Sequence, residues 1–155
     1  MENNRSAVVR MKENLFEYIN DLQEKGYRII PLFPKMEDVE YTCFAFESMQ
    51  KTNGFADAIN YDVTIKNGIP QTSRIEAGAK LEYVHITIKD AASDDLFIDN
   101  CAKLRAYSRR AGVDEFYRFA YIDGDNNLHL VFNKCDVHGN EFSVEDSRAI
   151  INCFA

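Results

Sequence analysis

Two histidines in short alternating stretches are the residues whose types and spacing could do chemistry. His85-Ile86-Thr87 lies inside Leu81–Lys89, and His129-Leu130-Val131 lies inside Leu128–Phe132. If the two stretches are neighbouring strands and both imidazoles point inward, they can share a phosphodiester. One then acts as general base and the other as general acid. The plainer reading is that both are ordinary strand residues, one or both at the surface, since short motifs arise often by chance.

The first tripeptide resembles the His-x-Thr signature of the two-histidine phosphoesterases, whose active site uses two such motifs on facing strands. The resemblance implies catalytic roles for His85, Thr87 and His129. It breaks at Val131, where that family carries a phosphate-binding hydroxyl residue. Asn127-Leu128-His129 also compares with the His-apolar-His triplet of rolling-circle replication nucleases. It holds only one of the two histidines, and no tyrosine follows Tyr121 to act as nucleophile.

Other polar groups suggest ligands rather than catalysis. Arg105, Arg109 and Arg110 make a small basic spot on one stretch, either for the helix dipole or as a contact for an anionic ligand. Tyr83 alternates onto the same strand face as His85, so Tyr83, Arg105 and Arg109 are the candidate ligand-binding residues. Asp123-Gly124-Asp125-Asn126-Asn127 spaces oxygens as a calcium loop does, but Leu128 and Lys134 stand where an EF-hand needs glycine and glutamate. The same residues are those of a tight turn, which is the expectation. Cys135 and His138 form one C-x-x-H pair, short of the two pairs usual in a structural zinc site. No metal or cofactor is expected.

These groups must be held by secondary structure. Leu81–Lys89 reads as a strand with Val84, Ile86 and Ile88 on one face and Leu81, Tyr83, His85 and Thr87 on the other. Ser93 is expected to cap a helix over Asp94–Ala111, acidic at its start and basic at its end, stopped by Gly112. Phe97, Cys101, Leu104 and Ala111 would be its buried side. Phe116–Ile122 and Leu128–Phe132 then form a hairpin, with Tyr117, Phe119 and Tyr121 sharing one face.

Upstream, a helix is expected over about residues 6–25, ended by Gly26, followed by strands over Tyr27–Phe33 and Val39–Ser48. Pro31 marks the first of these as an edge strand or one that stops early. Asn60–Lys66 is a short strand ending in the Asn67-Gly68 turn, and Ile69–Ala79 reads as an irregular loop. Ser143 with Asp146 opens a short helix running to the end of the chain.

At 155 residues, 46% hydrophobic and 12% aromatic, the chain is expected to be one globular domain over 1–155. The fold class expected is α+β: a mostly antiparallel sheet of five to six strands, two main helices packed on one face, and a short C-terminal helix. The net charge of −7 argues against a direct nucleic-acid clamp. No apolar run is long enough for a membrane span, and the N-terminus lacks a secretory pattern, so a cytoplasmic location is expected. Cys43, Cys101, Cys135 and Cys153 are widely spaced and read as reduced thiols.

With no complete catalytic constellation, the functional expectation is a small acidic, non-catalytic binding or inhibitory protein, of the kind phages and mobile elements encode. It would dock an acidic, aromatic-bearing surface on a protein partner. The alternative is a small two-histidine phosphoesterase-like or nucleotide-binding protein using His85, Thr87 and His129. An anionic or nucleotide ligand and a homo-oligomer are both compatible with the sequence.

Overall fold

The structure is a computed structural model and describes residues 24–33, 45–46 and 54–155. Six strands form one sheet: β1 (Arg28–Ile30), β2 (Ala58–Lys66), β3 (Ile69–Glu76), β4 (Tyr83–Ile88), β5 (Tyr117–Ile122) and β6 (Leu128–Asn133). Two helices follow β4 and β6, α1 (Phe97–Ala111) and α2 (Val144–Asn152). The strand order is β1-β5-β6-β4-β2-β3.

The fold is α+β, but the sheet is mixed rather than purely antiparallel, because β2 and β4 pair in parallel. The cause lies in the segment expected to be an irregular loop. Asn67 and Gly68, at φ 51° and 74°, turn the chain tightly, and Ile69–Glu76 returns along β2 as an antiparallel strand. That brings the chain back to the end where β2 began, so the next strand, β4, must run parallel to β2.

Nothing in the pattern of β3 announced a strand, because it is a sheet edge exposed along most of its length and has no apolar face. Its proline costs no ladder bond. The Ala77 amide donates to the Ala58 carbonyl, so with the observed register the odd-numbered amides of β3 face β2 and the even-numbered ones, Pro70 included, face outward.

At the opposite edge β1 stops before Pro31, as expected. The helix expected over about residues 6–25 lies outside the described residues except at its end, where Glu24 is helical and Gly26 takes the left-handed conformation at φ 88°. The strand expected over Val39–Ser48 also lies outside them, except that Ala45 and Phe46 have helical rather than extended backbone. Cys43 is outside as well; Cys101, Cys135 and Cys153 are free thiols.

Helix α1 begins later than Ser93 suggested. Ala91–Ser93 form a 3-10 turn, Asp94 Oδ1 accepts from the Leu96 amide at 2.8 Å, and no side chain caps the helix itself. It ends at Gly112, φ 74°, whose amide donates to the Ser108 carbonyl. Its buried side carries Cys101 and Leu104 with Asn100 and Ser108, while Ala111 is exposed. Ser143 caps α2 by accepting from the Asp146 amide, and α2 ends at Asn152, short of the chain end.

Strand alternation divides the apolar residues into two clusters. Val84, Ile86, Ile88, Leu128, Leu130 and Phe132 pack with Cys101 and Leu104 of α1 and Ile150 and Ile151 of α2. On the other side of the sheet, Phe119, Tyr121 and Val131 pack with Ala45 and Phe46. Tyr117 does not share a face with Phe119 as the alternation suggested. A β-bulge between them places Tyr117 against the first cluster and leaves Arg118 as the extra residue. Phe119, Tyr121 and Phe46 are all buried in this second cluster.

Among the described residues, no helix is long and apolar enough to cross a membrane.

Candidate functional site

His85, Thr87 and His129 come together on the side of the sheet opposite α1. The register does this. Thr87 lies directly across from His129 in the β4/β6 pair, and His85, one step along, lies across from Asn60 in the parallel β2/β4 pair. On its other flank His129 faces Tyr121 of β5.

The side chains form one hydrogen-bonded chain. Asn60 Oδ1 lies 2.9 Å from His85 Nδ1, His85 Nε2 lies 2.8 Å from His129 Nδ1, and His129 Nε2 lies 2.7 Å from Asp123 Oδ2. Thr87 Oγ1 sits 3.2 Å from both of the facing ring nitrogens. The imidazole centroids are 5.1 Å apart with planes 20° from parallel. Given the short N···N contact, the rings meet edge to edge. Phe55 stacks on His85 at 4.0 Å, and Tyr121 stacks on His129 at 4.3 Å with a 2° interplanar angle.

The partners set the tautomers. Asn60 Nδ2 donates to the carbonyls of Phe55 and Ala58, which leaves only its oxygen to face His85. His85 must then carry its proton on Nδ1. The Asp123 carboxylate likewise requires a proton on His129 Nε2. With both histidines neutral, two lone pairs would face each other across the 2.8 Å contact. The Thr87 hydroxyl oxygen is 3.2 Å from each, so its hydrogen can be donated to either lone pair and relieve the contact.

Burial favours the neutral forms. His85 is 8% exposed, and desolvation, with the neighbouring His129 adding to it, takes its pKa down to about 3. His129 is also lowered by burial, opposed by the hydrogen bond and charge of Asp123 and the charge of Asp62. Burial pushes the Asp123 carboxyl up. Hydrogen bonds from His129, the Asn127 side chain and the Asn127 and Asp125 amides outweigh it and hold the group at about 2.

Asp123 is placed by its turn. Its Oδ1 accepts from the Asp125 and Asn127 amides and its Oδ2 from Asn127 Nδ2. The Asp136–Asn140 turn has the same internal bonds, with the His138 amide as one donor, but no imidazole nitrogen bonds its carboxylate. The first of these turns is seated by glycine: a Cβ on Gly26 would lie 2.9 Å from Gly124 Cα.

The remaining candidates are elsewhere. Tyr83 shares the His85 face but lies under the Arg118 guanidinium, 4.9 Å from its ring centroid. Arg105 and Arg109 lie on α1, across the sheet from the histidines, so no common site joins them to His85. Sequence reasoning does not pick out Asn60 or Phe55, and it reads Asp123 only as part of a turn. Among the described residues, no three His, Cys, Asp or Glu side chains are grouped to hold a metal ion.

Chemically, every ring nitrogen of the pair is committed within the protein, and none is presented to a substrate. Compared with models of protein families, with curated proteins and with solved structures, the chain matches none.

Proposed function

We propose that the protein is a non-catalytic binding or inhibitory protein that docks on a protein partner through the outer edge of β3. The observation that carries this reading is the edge itself. β3 is eight residues long, ends the sheet order, and exposes Ile69 by 64% and Ile75 by 58%. Its outward amides at Thr72, Arg74 and Glu76 are a template for an added strand, with the two isoleucines supplying apolar contact. The closed histidine chain supports the non-catalytic half of the proposal.

The test is affinity capture from the source cell's lysate with wild type and Thr72→Pro, which deletes one outward donor and leaves the β2 ladder whole. One stoichiometric protein partner, lost in the variant, is the expected result. Failure to capture any partner, or equal capture by the variant, overturns it. Sedimentation of the pure protein distinguishes a second copy of the chain as the added strand.

A second reading, a two-histidine phosphoesterase, has one observation in its favour: His85, Thr87 and His129 are neighbours on one face. It requires the 2.8 Å ring contact to open and admit a phosphoryl group between the histidines. Turnover of bis(p-nitrophenyl) phosphate, abolished by His129→Ala, would establish it.

A further inference from the structure

At the end of the sheet, one step along β4 from His85, a cavity of about 380 Å³ has Lys80, Leu81, Glu82, Tyr83, Arg118 and Lys134 in its lining. We propose that this cavity binds the phosphate group of a small phosphomonoester. The proposal is independent of the β3 edge.

Charge is the first reason. In a chain of net charge −7, three cations surround this cavity with a single carboxylate, Glu82. Among the described residues no carboxylate forms an ion pair with Lys80, Arg118 or Lys134; the pairs there are Arg74–Glu76 and His129–Asp123. Three cations against one carboxylate leave the lining positive, which matches a dianion better than a carboxylate, and a guanidinium fork matches phosphate oxygens.

The second reason is how Arg118 is held. The β-bulge between Tyr117 and Phe119 turns it onto the Tyr83 face, as bulges re-aim side chains beside sites. There its guanidinium lies over the Tyr83 ring, and one terminal nitrogen reaches Asn133 Oδ1 at a long 3.4 Å. Its Nε is buried and has no hydrogen-bond partner among the described residues. The terminal guanidinium nitrogens, not Nε, are then the donors Arg118 can offer to the cavity.

The third is backbone strain. Leu81, in the lining, has φ 47°, a left-handed conformation unfavourable for leucine and concentrated at functional sites.

Size limits the ligand. The cavity is at the small end of ligand sites, with room for a phosphate and a modest organic group. The net charge of the chain opposes long polyanions such as nucleic acid.

The test is calorimetric titration of the full chain with inorganic phosphate and with phenyl phosphate at constant ionic strength. It is repeated on Arg118→Met, on the double variant Lys80→Met/Lys134→Met, and on Arg109→Met across the sheet. Saturable binding is expected, weakened about tenfold or more by Arg118→Met and by the double variant, and unchanged by Arg109→Met. Absence of saturable binding of both phosphates, or equal affinity in all variants, overturns the proposal. If Arg118→Met loses its folded circular-dichroism spectrum, the double lysine variant decides: weaker binding upholds the site, unchanged binding overturns it.

Discussion

His85 Nε2 and His129 Nδ1 meet at 2.8 Å, each ring oriented from its far side by a fixed acceptor, Asn60 Oδ1 and Asp123 Oδ2. A pair held from both ends has a defined proton inventory, and that makes the site testable without knowing a ligand.

Acid should destabilise the fold early. His85 has a folded pKa near 3, below its ordinary 6.5, so between those values the unfolded chain binds a proton that the folded chain refuses. Stability from this group is complete above about pH 6.5 and falls as pH drops toward 3. The lowered His129 acts in the same direction. Asp123, held at about 2, adds a loss that begins near its ordinary 3.8 and runs down through 2. Urea unfolding from pH 7 to pH 4 should show a decline on the order of a few kcal/mol, and His85→Gln should flatten the upper part of it.

Thr87→Val removes the hydroxyl at nearly constant volume. The neutral pair then keeps its facing lone pairs unrelieved, so the histidines should take up a proton at higher pH than in wild type. Histidine titrations by NMR should show that rise in Thr87→Val, whereas Thr87→Ser should leave the curve near wild type.

Asp123→Asn keeps the turn's shape but faces an amide nitrogen or a weaker acceptor toward His129 and Asn127. A loss of about 2 kcal/mol is expected from a broken charge-assisted network, read by denaturant unfolding. The matching Asp136→Asn in the second turn should cost less, because its carboxylate bonds groups of its own turn and holds no imidazole.

Gly26→Ala should be worse than its conformation alone implies. At Gly112, also at positive φ, an added Cβ meets nothing within 4 Å, and Gly112→Ala should cost about 1 kcal/mol. At Gly26 the Cβ would strike the Gly124 backbone at 2.9 Å. The larger loss should come with shifted His129 resonances, since that contact seats the turn bearing Asp123.

Alternation alone was enough to put His85 and Thr87 on one face and to recognise the β5/β6 hairpin, because Val84, Ile86 and Ile88 must face a core. Asn60 was not legible as a partner of His85, since their meeting depends on the parallel β2/β4 pairing, which depends on β3 being a strand. β3 was hidden because an edge exposed on both faces needs no apolar period. Its one local signal is Asn67-Gly68, a turn that fits a hairpin but does not by itself extend a strand beyond it. Asp123 is legible as a turn residue, but a turn carboxylate has a second oxygen, and only the β5/β6 register shows that His129 meets it. Arg118 was invisible as a site residue because a one-residue bulge cannot be read from alternation that looks unbroken.

The most direct measurement is the protonation pattern of the two imidazoles, read from long-range ¹H–¹⁵N correlations of the ring nitrogens at neutral pH. A closed Asn60–His85–His129–Asp123 chain gives a proton on Nδ1 of His85 and on Nε2 of His129, both in slow exchange with water. A proton on Nε2 of His85, or rings averaging between tautomers and open to solvent, would contradict the closed chain and return the histidines to play as catalytic groups.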